Sequence, residues 1–486
     1  MAQEQVTVAM LASMLDARIA GDPSVGVDSV THDSRAVRPG ALFCCVPGLR
    51  VDGHDFAANA VAAGATSLLC ERELDVDAAQ LIVADVRAAM ARAAAEVAGR
   101  PSDRLSIVGV TGTNGKTTVV SILGSILAHA GREVRVIGTL TGARTTPEAT
   151  DLQSDLARYV EEGVTDVAME VSSHALALHR VDAIHFGVAV FTNLGRDHLD
   201  FHGTDEAYFA AKAKLFEPGR ASTALVNVDD VHGRLLLDVA GGSSDGPTVR
   251  GYSLDDLDRV VCRPDGSSFR WRGRDTDIAL PGRHNVSNAL AAAEASIDVG
   301  VDVDVIVEAL GRLPVVPGRF EAVRVGQPFS VVVDYAHTPD ALESVLRAAG
   351  DLAPGGARVT VVFGCGGDRD ALKRPEMGAV ACATADRVIV TNDNPRSEDP
   401  LRIIDEIRTG CADAPEIEPD RRVAIRLAVR GAEAGDVVVI AGKGHEQGQV
   451  FADRTDPFDD REVVRDELAA LGFTDAGDVG TGAGAP

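Results

Sequence analysis

Lysine is nearly missing from this chain: of 47 basic residues only Lys116, Lys212, Lys214, Lys373 and Lys443 are lysine, and arginine supplies the rest. A GC-rich genome would produce the same bias. Even so, a guanidinium cannot replace a compact, reactive amine, so lysines that fall inside motifs are candidates for chemistry. An excess of positive charge is also lacking. The net charge of -26 argues against a protein that binds nucleic acid through a basic footprint. It leaves a local anion pocket open. No stretch approaches the roughly 20 apolar residues of a membrane helix. The first residues, MAQEQVTVAMLASMLDARIA, lack the basic start and continuous apolar run of a signal peptide. Seven cysteines, an odd number, form no C-x-x-C pair of metal-ligand spacing, which fits a reducing cytoplasm.

What is present is a globular composition, 45% apolar and 25% charged over 486 residues, a length that suggests about three domains. Short apolar strands alternate with alanine-rich helices as far as Gly99 and Pro101, where a boundary is expected. LSIVGVTG opens a second series, with EVRVIGT, VTDVAMEV, FGVAVFTN and STALVNV as buried-type strands and TTVVSILGSILAHAG as an amphipathic helix. Strand–helix alternation predicts a mostly parallel α/β sheet. Residues 241–283 turn to Gly, Ser, Asp and Arg, the texture of a small antiparallel patch. A third series carries FSVVVDYA, RVTVVFGC, RVIVTND and DVVVIAGKG. The expected division is 1–102, 103–318 and 319–475, with a disordered Gly/Ala-rich tail over 476–486. The expected fold class is α/β: a smaller N-terminal domain, a central P-loop-type sheet and a C-terminal Rossmann-like domain.

After the strand SIVGV comes Gly112-Thr113-Asn114-Gly115-Lys116-Thr117-Thr118 and then a helix. Strand, glycine loop and helix is the context of a phosphate loop. Loop amides and the helix N-terminus bind phosphate oxygens, Lys116 neutralises them, and Thr117 can bind Mg²⁺. Val110 stands where the usual G-x-x-x-x-G-K-[ST] spacing has its first glycine. With no Walker B partner evident, a motor or GTPase is disfavoured. Glu170 ends the strand VAMEV and His198 follows VAVFTN. Both therefore sit at the sheet edge where α/β proteins hold ligands, and a carboxylate and an imidazole there can hold a hard cation.

The variant loop G-T-N-G-K-T-T resembles that of the Mur ligase family, which includes folylpolyglutamate synthases. Glu170-Val-Ser-Ser-His174, Thr192-Asn193-Leu-Gly-Arg-Asp197-His198, Ala211-Lys212, Gly282-Arg-His-Asn285-Val-Ser-Asn288 and Asp334-Tyr-Ala-His337 follow in the family's order. The resemblance covers nearly the whole chain. It implies ATP and Mg²⁺ as cofactors, and carbamylation of Lys212 by CO₂ to give an anion that helps hold a metal. It places Asn285 near adenine, Asp334 at the ribose and Arg319 at a hinge from which it reaches the phosphates. Ser34 is implied as a uridine contact, with Thr145, Thr146, Ser172 and Arg180 at the sugar-peptide part of a UDP-N-acetylmuramoyl dipeptide. Leu178 departs from the family, where glutamine is common, and puts one substrate contact in doubt.

Asp33-Ser34-Arg35 and Asp393-Asn394-Pro395-Arg396 resemble the family's third amino-acid ligase, and the second of these resembles the signature of its diaminopimelate-specific branch. Arg396 offers a bidentate grip on a carboxylate, while Asp and Asn serve an ammonium and a carboxylate. Lysine lacks the distal carboxylate of diaminopimelate, so such an arginine would discriminate. Arg369, Gly442 and Glu446 are implied as further diaminopimelate contacts; Lys443 and His445 are left without a role. The implied reaction activates the D-glutamate γ-carboxylate as an acyl phosphate, which the diaminopimelate amine attacks. A lysine-adding ligase, a folylpolyglutamate synthase and a non-catalytic nucleotide-binding subunit are the alternatives. A cytoplasmic monomer is expected.

Overall fold

The computed structural model describes residues 5–48, 51–242, 244–263 and 265–473, so the expectation of a disordered tail lies outside the described residues. Three units follow one another, each built on its own sheet. The first carries β1 (Arg18–Ala20), β2 (Ser29–Thr31), β3 (Ala41–Cys44), β4 (Ala65–Cys70) and β5 (Ala79–Ile82) in the order β1-β5-β4-β3-β2. Only the β1–β5 pairing is antiparallel. Cys44 and Cys45 are fully buried in it, as their place in an apolar run predicts.

The middle sheet contains β6 (Ser106–Thr111), β7 (Val134–Ile137), β8 (Asp166–Glu170), β9 (Phe186–Phe191), β10 (Ala221–Asn227) and β11 (Thr248–Tyr252). All its pairings are parallel, in the order β11-β10-β9-β6-β8-β7. Chain order reverses at β6, and loops leaving such a switch point open a crevice for ligands. Two expectations need correction. β7 is an edge strand and only half-buried along most of its length, because just one neighbour covers it. The helix Lys116–His129 is not amphipathic but buried over most of its circumference. Helices Arg283–Asp298 and Val303–Leu310 roof the face that a surface helix would give to water. The antiparallel patch is present as β12 (Asp258–Arg263), β13 (Gly266–Trp271) and β14 (Arg274–Ile278).

The third sheet holds β15 (Glu321–Val323), β16 (Ser330–Asp334), β17 (Val359–Phe363), β18 (Arg387–Val390), β19 (Glu416–Ile417) and β20 (Val437–Ala441), ordered β15-β16-β20-β17-β18-β19. Only β15 runs antiparallel to its neighbour. The three central strands are continuous Val/Ile/Phe runs buried on both faces, covered by the helices Pro339–Leu352 and Lys373–Thr384 on one side and Arg421–Arg430 on the other, as a parallel sheet requires.

Candidate functional site

β6 ends at Thr111 and the loop turns into the helix at Lys116. Gly115 adopts φ +87, and a Cβ there would lie 2.4 Å from Asn288 Oδ1, so only glycine lets the loop pass under the helix Arg283–Asp298. Lys116 Nζ donates to Gly112 O and Thr113 O, both at 2.8 Å. Its ammonium thus lies curled along the loop. Asn193, on the neighbouring strand's exit, accepts from the Asn114 amide at 2.9 Å and fixes the loop from outside.

Parallel register sets Glu170 beside Val110, which brings the carboxylate to the loop. Glu170 is buried. Its Oε2 accepts from Thr117 Oγ1 at 3.0 Å and its Oε1 from the Thr139 amide at 2.8 Å. Thr118 is buried in the helix's first turn. His198 sits in a left-handed turn (φ 56), 3.3 Å from Asp197 and with its ring 4.7 Å from His174. Burial lowers its pKa to about 3, so the imidazole is neutral and able to ligate.

Lys212 is fully buried, donates to Gly112 O at 2.7 Å and lies 4.4 Å over the Tyr208 ring. Tyr208 OH in turn meets Thr113 Oγ1 at 3.1 Å. Burial, reinforced by Lys116, depresses the Lys212 amine well below the usual lysine range. A neutral amine is the form that adds to CO₂.

A cavity of about 610 Å³ joins these groups. Its wall includes Lys116, Thr117, Glu170, His198 and Lys212, with Asn285, Asn288, Arg319 and Asp334 on the far side. Arg319 Nη2 donates to Thr117 Oγ1 at 2.9 Å, and its guanidinium rests 4.6 Å over Tyr335. Asp334 accepts the Phe320 and Ala336 amides at 2.7 Å each, so it orders the chain on both sides of β16 as well as facing the cavity; burial raises its pKa against the opposing Arg319. Asn285 Nδ2 donates to Pro281 O.

Thr145 and Ser172 also line the cavity. Thr146 accepts the Ser172 amide and donates to Glu170 O, and Arg180 donates to Thr146 O at 3.1 Å. Glu148 pairs with Arg180 at 2.7 Å. Ser34 stands apart from this wall, on the turn after β2, between Asp33 and Arg35, which pair with each other. Its neighbour His32 meets Thr150 at 2.8 Å and ties that turn to the middle unit.

The amino-acid motif lies at the C-terminal edge of the third sheet. Asp393 is buried there, and burial raises its pKa despite Lys443 and Arg421. A Cβ on Gly442 (φ +113) would meet Asp393 Oδ2 at 2.5 Å, which accounts for the glycine. Asn394 Nδ2 donates to Glu446 Oε2 at 2.7 Å. Arg396, at φ 52 after Pro395, donates to Gly367 O at 2.6 Å. Arg369 is exposed on the neighbouring loop, after β17. Lys443 is fully buried beneath the motif, and His445 packs 5.3 Å from Tyr335.

Sequence reasoning gave Asp197 no role. It is buried, 3.7 Å from His337 and 3.9 Å from Lys373. Burial works to raise its pKa, but His337, His198 and Lys373 around it outweigh this and hold the carboxyl well below its usual range. Arg196 pairs with Glu376, and its amide donates to Asp340. Thus the segment after β9 bears on the third unit. The lysine scarcity could have flagged Lys373; its partner, far away in sequence, could not be read.

Among the described residues no group of three or more His, Cys, Asp or Glu is placed to hold a metal ion. The donor set of Glu170, His198 and the Thr117 hydroxyl suits a hard cation whose shell is completed by ligand oxygens. No helix of the described residues is long and apolar enough to cross a membrane.

The chain matches the Mur ligase family catalytic domain over residues 26–109, the Mur ligase middle domain over 110–296 and the Mur ligase glutamate ligase domain over 318–444. It is 44% identical over 464 residues to the UDP-N-acetylmuramoyl-L-alanyl-D-glutamate--2,6-diaminopimelate ligase of Syntrophomonas wolfei, covering 91% of this chain and 94% of that protein. The protein of the same name from Streptomyces coelicolor is also 44% identical, over 477 residues, with 92% and 94% covered. A solved structure of a ligase of that name aligns with a TM-score of 0.68 at 33% identity, covering 97% of this chain and 100% of the other. MurF from Thermotoga maritima in complex with ADP shares the fold, with a TM-score of 0.63 at 21% identity over 91% of this chain and 97% of that one.

Proposed function

The chain belongs to the Mur ligase family, and on that premise we propose that it joins diaminopimelate to the D-glutamate γ-carboxyl of UDP-N-acetylmuramoyl-L-alanyl-D-glutamate, at the expense of ATP, in peptidoglycan synthesis. The observation that carries the amino-acid assignment is the set at one sheet edge: Asp393 against Gly442, Asn394 bonded to Glu446, and Arg396 against Gly367. A zwitterionic side-chain end needs both an acceptor and a guanidinium, and this set supplies both. In the same reading residues 1–102 bind the UDP part, 103–318 bind ATP and 319–475 bind the amino acid. The protein acts as a cytoplasmic monomer.

Phosphoryl transfer asks mainly for positioning and charge neutralisation. Lys116 turns from the loop carbonyls to the phosphates, and Arg319 reaches them from the hinge beside Thr117. Asn285 faces adenine and Asp334 the ribose. Thr145, Thr146, Ser172 and Arg180 hold the sugar-peptide so that its carboxylate meets the γ-phosphate in line; Ser34 holds uridine. Lys212 adds to CO₂ through its neutral amine, losing a proton to form a carbamate. Glu170, His198, Thr117 and that carbamate would hold Mg²⁺, which supplies charge neutralisation at phosphate oxygens when bound. Arg369, Asp393, Asn394, Pro395, Arg396, Gly442 and Glu446 orient the diaminopimelate amine toward the acyl carbon, with water excluded.

Phosphate release by the purified protein with ATP, Mg²⁺ and the UDP-muramoyl dipeptide, comparing diaminopimelate with lysine, tests the reading. Release with diaminopimelate and formation of the tripeptide product are expected. Release with lysine alone would overturn the amino-acid assignment and leave the ligase. Absence of release with either, from folded ATP-bound protein, would favour a non-catalytic subunit.

A further inference from the structure

Lys443 has no part in the mechanism above, yet it is one of only five lysines and is fully buried. Its three N–H groups are all used. They donate to Asn394 Oδ1 at 3.0 Å, Glu446 Oε2 at 3.1 Å and Gly448 O at 2.6 Å. Glu446 Oε2 also receives Asn394 Nδ2, and Asn394 Oδ1 also receives the Val450 amide at 2.9 Å. One ammonium therefore locks the two side chains together. It spends one oxygen of Glu446 inside the protein; among the described residues no hydrogen bond is made to the other, Oε1.

The consequence is electrostatic. A lone Glu446 would present a full negative charge, which attracts any cationic side-chain end. Paired with Lys443, it presents an acceptor oxygen within a neutral pair. The distal end of diaminopimelate carries an ammonium and a carboxylate and sums to zero; that of lysine carries an ammonium alone. A neutral pair, on the same sheet edge as Arg396, accepts the first and has no charge to offer the second. We infer that Lys443 is a specificity-determining residue: by neutralising and orienting Glu446 it withholds from a bare cation the attraction that would let lysine compete with diaminopimelate.

This inference rests on the proposed amino-acid assignment, and the experiment separates the two. Phosphate release is measured with the full chain, giving kcat/KM for diaminopimelate and for lysine in the wild type, Lys443→Gln and Glu446→Gln. Wild-type protein that does not prefer diaminopimelate overturns the assignment, and the inference falls with it. Given that preference, Lys443→Gln is expected to reduce the diaminopimelate-to-lysine ratio by about tenfold, the scale of one partly screened charge. Glu446→Gln is expected to move the ratio the other way, because it leaves the Lys443 charge unbalanced. Equal losses for both amino acids in Lys443→Gln would make the lysine merely structural and overturn the inference while the assignment stands. Should Lys443→Gln show no cooperative melt, Glu446→Gln decides: a ratio that is unchanged or lower overturns the inference.

Discussion

Around the phosphate loop, Lys116 and Lys212 donate to main-chain carbonyls and Arg319 to a hydroxyl and a ring face. Beneath the amino-acid turn the cations meet carboxylates instead. Arg374 binds Glu398 through two bonds and Glu406 through a third, Arg421 binds Asp460 through two, and Lys443 binds Glu446. Carbonyls solvate a cation but do not cancel it, so Lys116 and Arg319 keep their charge for anions that arrive with the substrates. Arg374, Arg421 and Lys443 beneath the turn are balanced before any ligand comes, while Arg396 on the turn meets a carbonyl. In one region buried charge is reactive capacity; in the other it is scaffolding.

The contrast is broken most severely at the loop. Lys116→Ala is expected to reduce amino-acid-dependent phosphate release by about a thousandfold or more, with an unchanged thermal melt. Lys212→Arg replaces a reactive amine with a guanidinium that cannot form a carbamate, and a loss of about a hundredfold, unaffected by added bicarbonate, is expected. At the turn, Arg396→Lys keeps a cation but loses the fork, so KM for diaminopimelate should rise by about tenfold with little change in KM for ATP. Arg374→Met should act on stability instead. Removing a buried guanidinium from two half-exposed carboxylates is expected to lower Tm by about 5 °C.

The smallest effect is acid sensitivity. Burial lowers the pKa of His284, beside the loop, and of His445, beside the turn, to about 4 each. Below the ordinary value of about 6.5 the unfolded chain takes up protons that the folded chain refuses. Their contribution is complete above that value and is lost as pH falls toward 4. Thermal melts at pH 7 and pH 5 should differ by a few degrees, about 2–4 °C, and His284→Asn should narrow the gap.

Much of this was legible in the residues because the signals are local. Apolar runs that end in a polar residue placed Glu170 and Asp334 at strand ends and Asp393 just past one, where the sheets present them. The glycine loop around Gly115 was legible as a turn, while the need for glycine at Gly442 shows only in the fold. What stayed hidden depends on partners far apart in sequence. Nothing near Lys116–His129 says that residues 283–310 will roof it, so its apolar stripe looked like a single face. The run Val134–Ile137 gives no hint of lying at an edge, since that depends on which strand takes the next place. Arg196 and Glu376, or Asp197 and Lys373, meet only once two sheets have packed.

The segment Thr192–His198 touches the phosphate loop at one end, where Asn193 accepts the Asn114 amide. At the other, Arg196 and Asp197 engage Asp340, Glu376 and Lys373 of the third unit. Seven residues thus bridge the phosphate loop and the third unit, a physical route for thermodynamic linkage. If occupancy by nucleotide shifts this segment and changes the affinity for amino acid by some factor, the amino acid must change the affinity for nucleotide by the same factor. Either ligand then serves as an effector of the other, and the order in which they add sets which is held back until its companion has bound.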